Sequence, residues 1–161
     1  MRREDVVDVL NDPLAQDLLH SRLLTHLAYN GLDGYPRVVP VGYYWTAGDE
    51  FIVCTASNAP KVRALHTNPK VALTLDTDTL PPHVLLVRGT ASVEIVDGIP
   101  AEYLEASKKS IPQEQWQAFE VQVRGLYKQM ARITITPNWT KLLDFETRLP
   151  VAVEQLLAQR T

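Results

Sequence analysis

At 161 residues, with a net charge of −3 and 45% apolar residues, the chain has the size of one domain and the apolar content for a substantial core. That balance argues against both a bulk nucleic-acid binder and a disordered chain. The single cysteine, Cys54, excludes an intrachain disulfide and a Cys-based zinc centre, and within FIVCT it reads as a small buried hydrophobe.

The start, MRREDVVDVLNDP, is charged and carries no signal-peptide pattern. No run approaches the ~20 apolar residues of a membrane span, so a cytoplasmic protein without membrane or nucleic-acid partners is expected. Asp12-Pro13 signals a helix start, and Leu14, Leu18 and Leu19 continue at helical spacing to about Arg22. A strand follows at Leu23–Tyr29, then Asn30-Gly31 and Asp33-Gly34, dipeptides that accept positive φ and suit a hairpin. Arg37–Trp45, rich in Val, Tyr and Trp, reads as the next strand. Ala47-Gly48-Asp49 turns the chain into a third strand at Phe51–Thr55, giving an antiparallel meander.

The segment Phe51–Leu75 contains no Asp or Glu, although acids outnumber bases over the whole chain. Lys61, Arg63 and Lys70 all fall within it, the first two in a short helix near Ala59–Thr67 that begins with Ser, Asn and Pro. Cations near a helix N-terminus are unfavourable unless an anion occupies the site. Exposed backbone N–H groups, the dipole and Lys61 therefore point to a phosphate pocket. Arg63 is a second candidate contact, Arg37 a third, and Thr55 and Ser57 are candidate hydroxyl donors. Ser57 reads equally well as the helix N-cap.

Asn68-Pro69 ends the helix before a strand at Val71–Leu75. From Val84 to Val96 the alternation sets Leu85, Val87, Ala91, Val93 and Ile95 on one face, with Arg88, Thr90, Ser92 and Glu94 on the other. Helical patterning runs from Pro100 to about Lys128, broken at Ile111-Pro112, and Trp116, Phe119, Val123 and Tyr127 form one apolar stripe expected to be buried. Met130–Thr136 alternates as a strand, Asn138 turns and Trp139–Glu146 continues as strand, with Val151–Leu157 a terminal helix suited to docking on a partner. The whole reads as one domain over 1–161, mainly β: a six-stranded antiparallel β-barrel, closed or partly open, with short flanking helices.

The histidines, His20, His26, His66 and His83, lack the i, i+4 spacing of a helical metal site, and no metal is expected. No G-x-S-x-G, Walker or Rossmann glycine pattern occurs.

The order of motifs resembles the split β-barrel flavoproteins of the pyridoxamine 5′-phosphate oxidase type. The run Gly34-Tyr35-Pro36-Arg37-Val38-Val39-Pro40-Val41 matches their second-strand pattern. Thr55-Ala56-Ser57, followed by Lys61-Val62-Arg63-Ala64-Leu65-His66-Thr67-Asn68-Pro69, matches their phosphate-side pattern. The resemblance implies a homodimer with FMN in a groove between two barrels. It assigns Arg37, Val38, Val39, Pro40 and Val41 to the ring, and Thr55, Ala56, Ser57, Lys61 and Val62 to the phosphate, with Arg63 beside them. A partner residue, Trp139 or Gln129, is expected to complete the site.

The basic cluster expected near the C-terminus of pyridoxamine phosphate oxidase itself is not apparent in Leu142–Pro150, so vitamin B6 oxidation is not implied. The implied function is a flavin-dependent oxidoreductase acting on a small molecule. The alternatives are a reductase using the deazaflavin coenzyme F420, for which Lys70, Arg88 and Arg132 would have to converge, and a non-catalytic flavin or haem carrier, with His66 near the haem. No residue is assigned as a general acid; Tyr43, Tyr44 and solvent are the available proton sources.

Overall fold

The computed structural model describes residues 1–160. Its centre is one antiparallel sheet whose strands lie in the order β2-β1-β5-β6-β7-β4-β3. These are β1 (Thr25–Asn30), β2 (Pro36–Val41), β3 (Tyr44–Trp45), β4 (Phe51–Ala56), β5 (Lys70–Asp76), β6 (Val84–Asp97) and β7 (Gln129–Leu143). Among the described residues the helices are α1 (Arg3–Leu10), α2 (Pro13–Leu19), α3 (Pro60–Thr67), α4 (Ala101–Lys108), α5 (Trp116–Leu126) and α6 (Val151–Ala158).

Seven strands appear where six were expected, because Arg37–Trp45 is two strands separated by Gly42-Tyr43. The division sets the topology. β2 and β3 are neighbours in sequence yet occupy opposite edges of the sheet, so two residues carry the chain from one edge to the other. That is geometrically possible only if the sheet curls until its edges meet without hydrogen-bonding, which makes a split barrel. Tyr43 pins the seam. Its ring is 1% exposed and its hydroxyl donates to the Leu19 carbonyl at 2.8 Å, satisfying an acceptor at the end of α2.

The barrel interior is filled by the inward residues of every strand, including Leu27, Phe51, Leu73, Leu85, Val87 and Ile133. Phe51 packs edge-on to Trp45 at 4.8 Å between ring centroids and tilts against Tyr43 at 5.2 Å. The Asp12-Pro13 start is realised: the Asp12 carboxylate accepts from the Leu14 N–H at 2.9 Å. α1 had no periodic signature strong enough to read, yet it buries Val6 and Leu10 and packs along β7.

β6 and β7 form the long ladder of the molecule. Asn138 is no turn. Arg88 pairs with Trp139 and Gly89 with Pro137, so Asn138 is the extra residue of a β-bulge and its amide donates to the Thr90 hydroxyl at 3.3 Å. The expected face of β6 holds through Ala91, but Ile95 is 46% exposed. The aromatic stripe of α5 also falls short of the core. Only Val123 is buried, while Phe119 and Tyr127 pack on Tyr103 of α4 and so hold the α4–α5 hairpin together.

A Cβ on Gly89 would sit 2.8 Å from the Thr136 carbonyl oxygen and 2.9 Å from Ile135 Cγ2, both on the facing strand. Gly89→Ala is expected to destabilise the fold by about 1–3 kcal/mol through overpacking at the bulge, read as a lower midpoint in urea.

Candidate functional site

β4 ends at Ala56 and α3 begins at Pro60, so Thr55, Ala56 and Ser57 lead directly into the helix that carries Lys61 and Arg63. α3 buries Val62, Ala64 and Leu65 and packs against β1 and β6, which turns Lys61, Arg63 and His66 outward. Lys61 is half-buried and has neither an acidic partner nor a hydrogen bond among the described residues. Burial alone pushes its ammonium below the ordinary value of 10.5. An uncompensated cation held partly out of water is a poised anion ligand.

The helix terminus contributes less than expected. Its N-cap is Ala59, which offers no side-chain cap, so Ser57 does not serve there. Pro60 has no N–H, and the Val62 N–H is spent on the Ala59 carbonyl at 3.0 Å. Val62 itself is 4% exposed, so its side chain packs beneath the helix and does not face an outer ligand. The charge at this spot therefore rests on the Lys61 side chain. The Ser57 hydroxyl accepts from Gln129 Nε2 at 3.3 Å, so Gln129 stands beside Ser57 of the same chain.

Lys61 and Arg63 stand two positions apart, about 200° around a helix, and so do not share a face. Arg63 instead shares with Arg37 a hollow of about 350 Å³ between the β1–β2 turn and the start of α3, which Asn58 and Pro60 also line. Arg37 is partly spent, because Asp33 holds it in an ion pair, and Arg37 in turn draws the Asp33 carboxyl below the usual carboxylate range. Gly31 leaves room for the turn to close: a Cβ there would lie 2.9 Å from the Tyr35 backbone carbonyl oxygen.

β2 is an edge strand, so one side of its backbone is unpaired by the sheet. Pro36, Val38 and Pro40 face outward, with Val38 65% exposed, whereas Val39 and Val41 pack against the core. The same outer surface continues across β1, β5, β6 and β7, where a hollow of about 430 Å³ is lined by Asn30, Lys70, Ala72, Arg88, Thr90 and Asn138 among others. The Arg88 guanidinium stacks 4.3 Å from the centroid of the Trp139 ring. Lys70 and Arg88 thus converge without an acid between them. Arg132 does not join them: it pairs with Glu102 at 2.7 Å.

Trp139 is remote from Thr55 and Lys61 within the chain. Thr55 pairs with Ala131, eight residues away along β7, or roughly 26 Å at strand rise. Tyr43 is buried with its hydroxyl committed to the Leu19 carbonyl, and desolvation holds its phenol above the ordinary range. Cys54 is half-buried, and burial pushes its thiol up to about 12.

A curled antiparallel sheet, open at one seam and flanked by short helices, defines the split-barrel class. The family model for pyridoxamine 5′-phosphate oxidase matches residues 12–130, and the chain belongs to that family. No curated protein matches it. Among solved structures, an F420 reductase is 25% identical, covers 78% of this chain and 94% of its own, and superposes with a TM-score of 0.59. General Stress Protein 26 from Bacillus anthracis is 19% identical, covering 84% and 96%, with a TM-score of 0.58. A heme binding protein from Mycobacterium smegmatis is 16% identical over 85% of this chain and 55% of that one, also at 0.58. At those lower identities the likeness is one of fold.

Because the folded-state value of Lys61 is lowered, folding disfavours its charged form. That cost is fully present at neutral pH and is relieved only as pH climbs through the folded value toward 10.5. Lys61→Met is therefore expected to raise the melting temperature of the cofactor-free protein at pH 7, with the gap closing as pH approaches 10.5. Saturating inorganic phosphate should narrow it at pH 7 by stabilising only the wild type.

Proposed function

We propose that this chain is a flavin-type oxidoreductase that works as a homodimer, with the cofactor phosphate gripped by Lys61 and the ring lying along the free edge of β2. The observation that carries this reading is the half-buried, unpartnered Lys61 in an acid-free segment that follows β4 directly. Family membership supplies the prior for the cofactor class, and the donor set fits it: one free lysine, the Thr55 and Ser57 hydroxyls, and a second basic pair, Arg37 and Arg63, nearby. When bound, the flavin would exchange a hydride with substrate. The protein's part is to fix the phosphate, present β2 backbone groups to the ring and exclude water. Outward Val38 and the prolines of β2 would be covered by the second protomer, whose Trp139 is available to complete the groove.

The test is an FMN titration followed by fluorescence. Lys61→Ala should lose about 1.5–3 kcal/mol, or roughly 10- to 150-fold in affinity. Val38→Asp should split the dimer in sedimentation and lose FMN with it. Wild-type affinity in Lys61→Ala would reject the phosphate assignment.

A second reading, a reductase using the deazaflavin coenzyme F420, is favoured by the convergence of Lys70 and Arg88 and by the likeness to an F420 reductase. Two unpaired cations on the outer sheet suit a longer anionic tail than FMN carries. Under this reading Lys70→Ala and Arg88→Ala weaken F420 binding about tenfold each, flatten its salt dependence, and leave FMN affinity unchanged. Equal losses for the two cofactors would remove the preference.

A further inference from the structure

A cavity of about 220 Å³ lies between α4 and the barrel, outside the phosphate side described above. At ~30 Å³ per water it has room for about seven, the scale of a small organic molecule. Its floor is the ring of Tyr43 with Ile52 and Cys54, its wall is α4, and Leu23 with Leu24 forms an apolar rim. Gly42 also lines it. Gly42 directly follows the last residue of β2, and Cys54 directly precedes Thr55, so the chamber adjoins both ends of the proposed cofactor groove.

The polar groups of this chamber are mostly spent. The Ser107 hydroxyl donates to the Tyr103 carbonyl at 2.7 Å and Ser110 to the Ser107 carbonyl at 3.3 Å. Glu102, the one carboxylate lining the cavity, is neutralised by Arg132 at 2.7 Å. Two cations remain. Lys109 holds its ammonium 4.2 Å from the centroid of the Tyr43 ring, and Arg22 lies at the mouth. Neither has an acidic partner among the described residues. Burial lowers the Lys109 ammonium from its ordinary value, as expected of a cation awaiting a counter-charge.

We infer that this chamber is the substrate pocket and takes a small organic anion. Its carboxylate or phosphate pairs with Lys109 and Arg22, and a compact apolar body rests among Leu23, Leu24 and Ala106. The inference deepens the oxidoreductase reading and rests on it for the word substrate, but the anion selectivity of the chamber is testable alone.

Calorimetry on the purified full chain with benzoate, phenyl phosphate and the neutral isostere benzamide tests it. At least one anion should bind tenfold or more tighter than benzamide, and the stronger of the two identifies the head group. Lys109→Met and Arg22→Met, which keep the apolar stems, should erase that preference. Ala106→Trp, which fills the chamber, should remove binding of all three probes while circular dichroism stays native. Benzamide binding as tightly as both anions would overturn the inference, as would a preference that survives Lys109→Met. A preference lost in Lys61→Ala instead would move the anions to the β4–α3 site and also overturn it. Failure of the FMN titration with this selectivity intact would sink the flavin reading and leave the chamber standing.

Discussion

The geometry of this protein hangs on a two-residue crossing. Gly42 and Tyr43 join strands at opposite edges of one sheet, so the sheet has no choice but to wrap. The wrap needs an anchor, because two edges that meet without a ladder gain nothing from each other. Tyr43 supplies it: an aromatic ring inside the barrel, and a hydroxyl that satisfies the carbonyl end of α2. A buried carbonyl left without a donor costs about 1–3 kcal/mol, so the bond matters most for what its absence would leave behind.

That wrap also builds the candidate site. It sets the free edge of β2 near the segment where β4 gives way to α3, and brings Arg37 and Arg63 to one hollow although two strands, β3 and β4, separate them in sequence. Meanwhile the hollow on the sheet's outer face is lined by small and basic side chains, Ala72, Thr90, Lys70 and Arg88 among them. Uncovered apolar edge residues and unneutralised cations are both unfavourable in an isolated protomer. Their coincidence on neighbouring surfaces is what a ligand shared between two protomers would relieve.

Much of this was legible in the residues. The acid-free stretch around Lys61, the Gly34 and Gly98 turns, both with positive φ, and the alternation of β6 as far as Ala91 rest on local chemistry that survives in the folded chain. What was not legible depends on distant partners. The break at Gly42-Tyr43 carries β-prone residues on both sides, so propensity ran through it. Asn138 has turn chemistry, yet a strand on each side absorbs it as a bulge. The α5 aromatics have helical spacing, but spacing cannot say whether the partner is the barrel or another helix. Val62 and Lys61 are adjacent letters in one motif, and only the buried face of α3 separates packing from binding.

The long hairpin of β6 and β7 encloses residues 98–128, an excursion tied at its base by the Gly98 N–H donating to the Lys128 carbonyl at 2.8 Å. Enlarging such an excursion is thermodynamically cheap, since each doubling of a flexible loop adds only about 0.6 kcal/mol. α4, which walls the cavity beside Tyr43, lies wholly inside it and has no buried residue of its own. The barrel is thus a fixed chassis and the excursion a replaceable part: descendants of this fold can exchange the wall of the cavity while the ladder beneath it keeps its register.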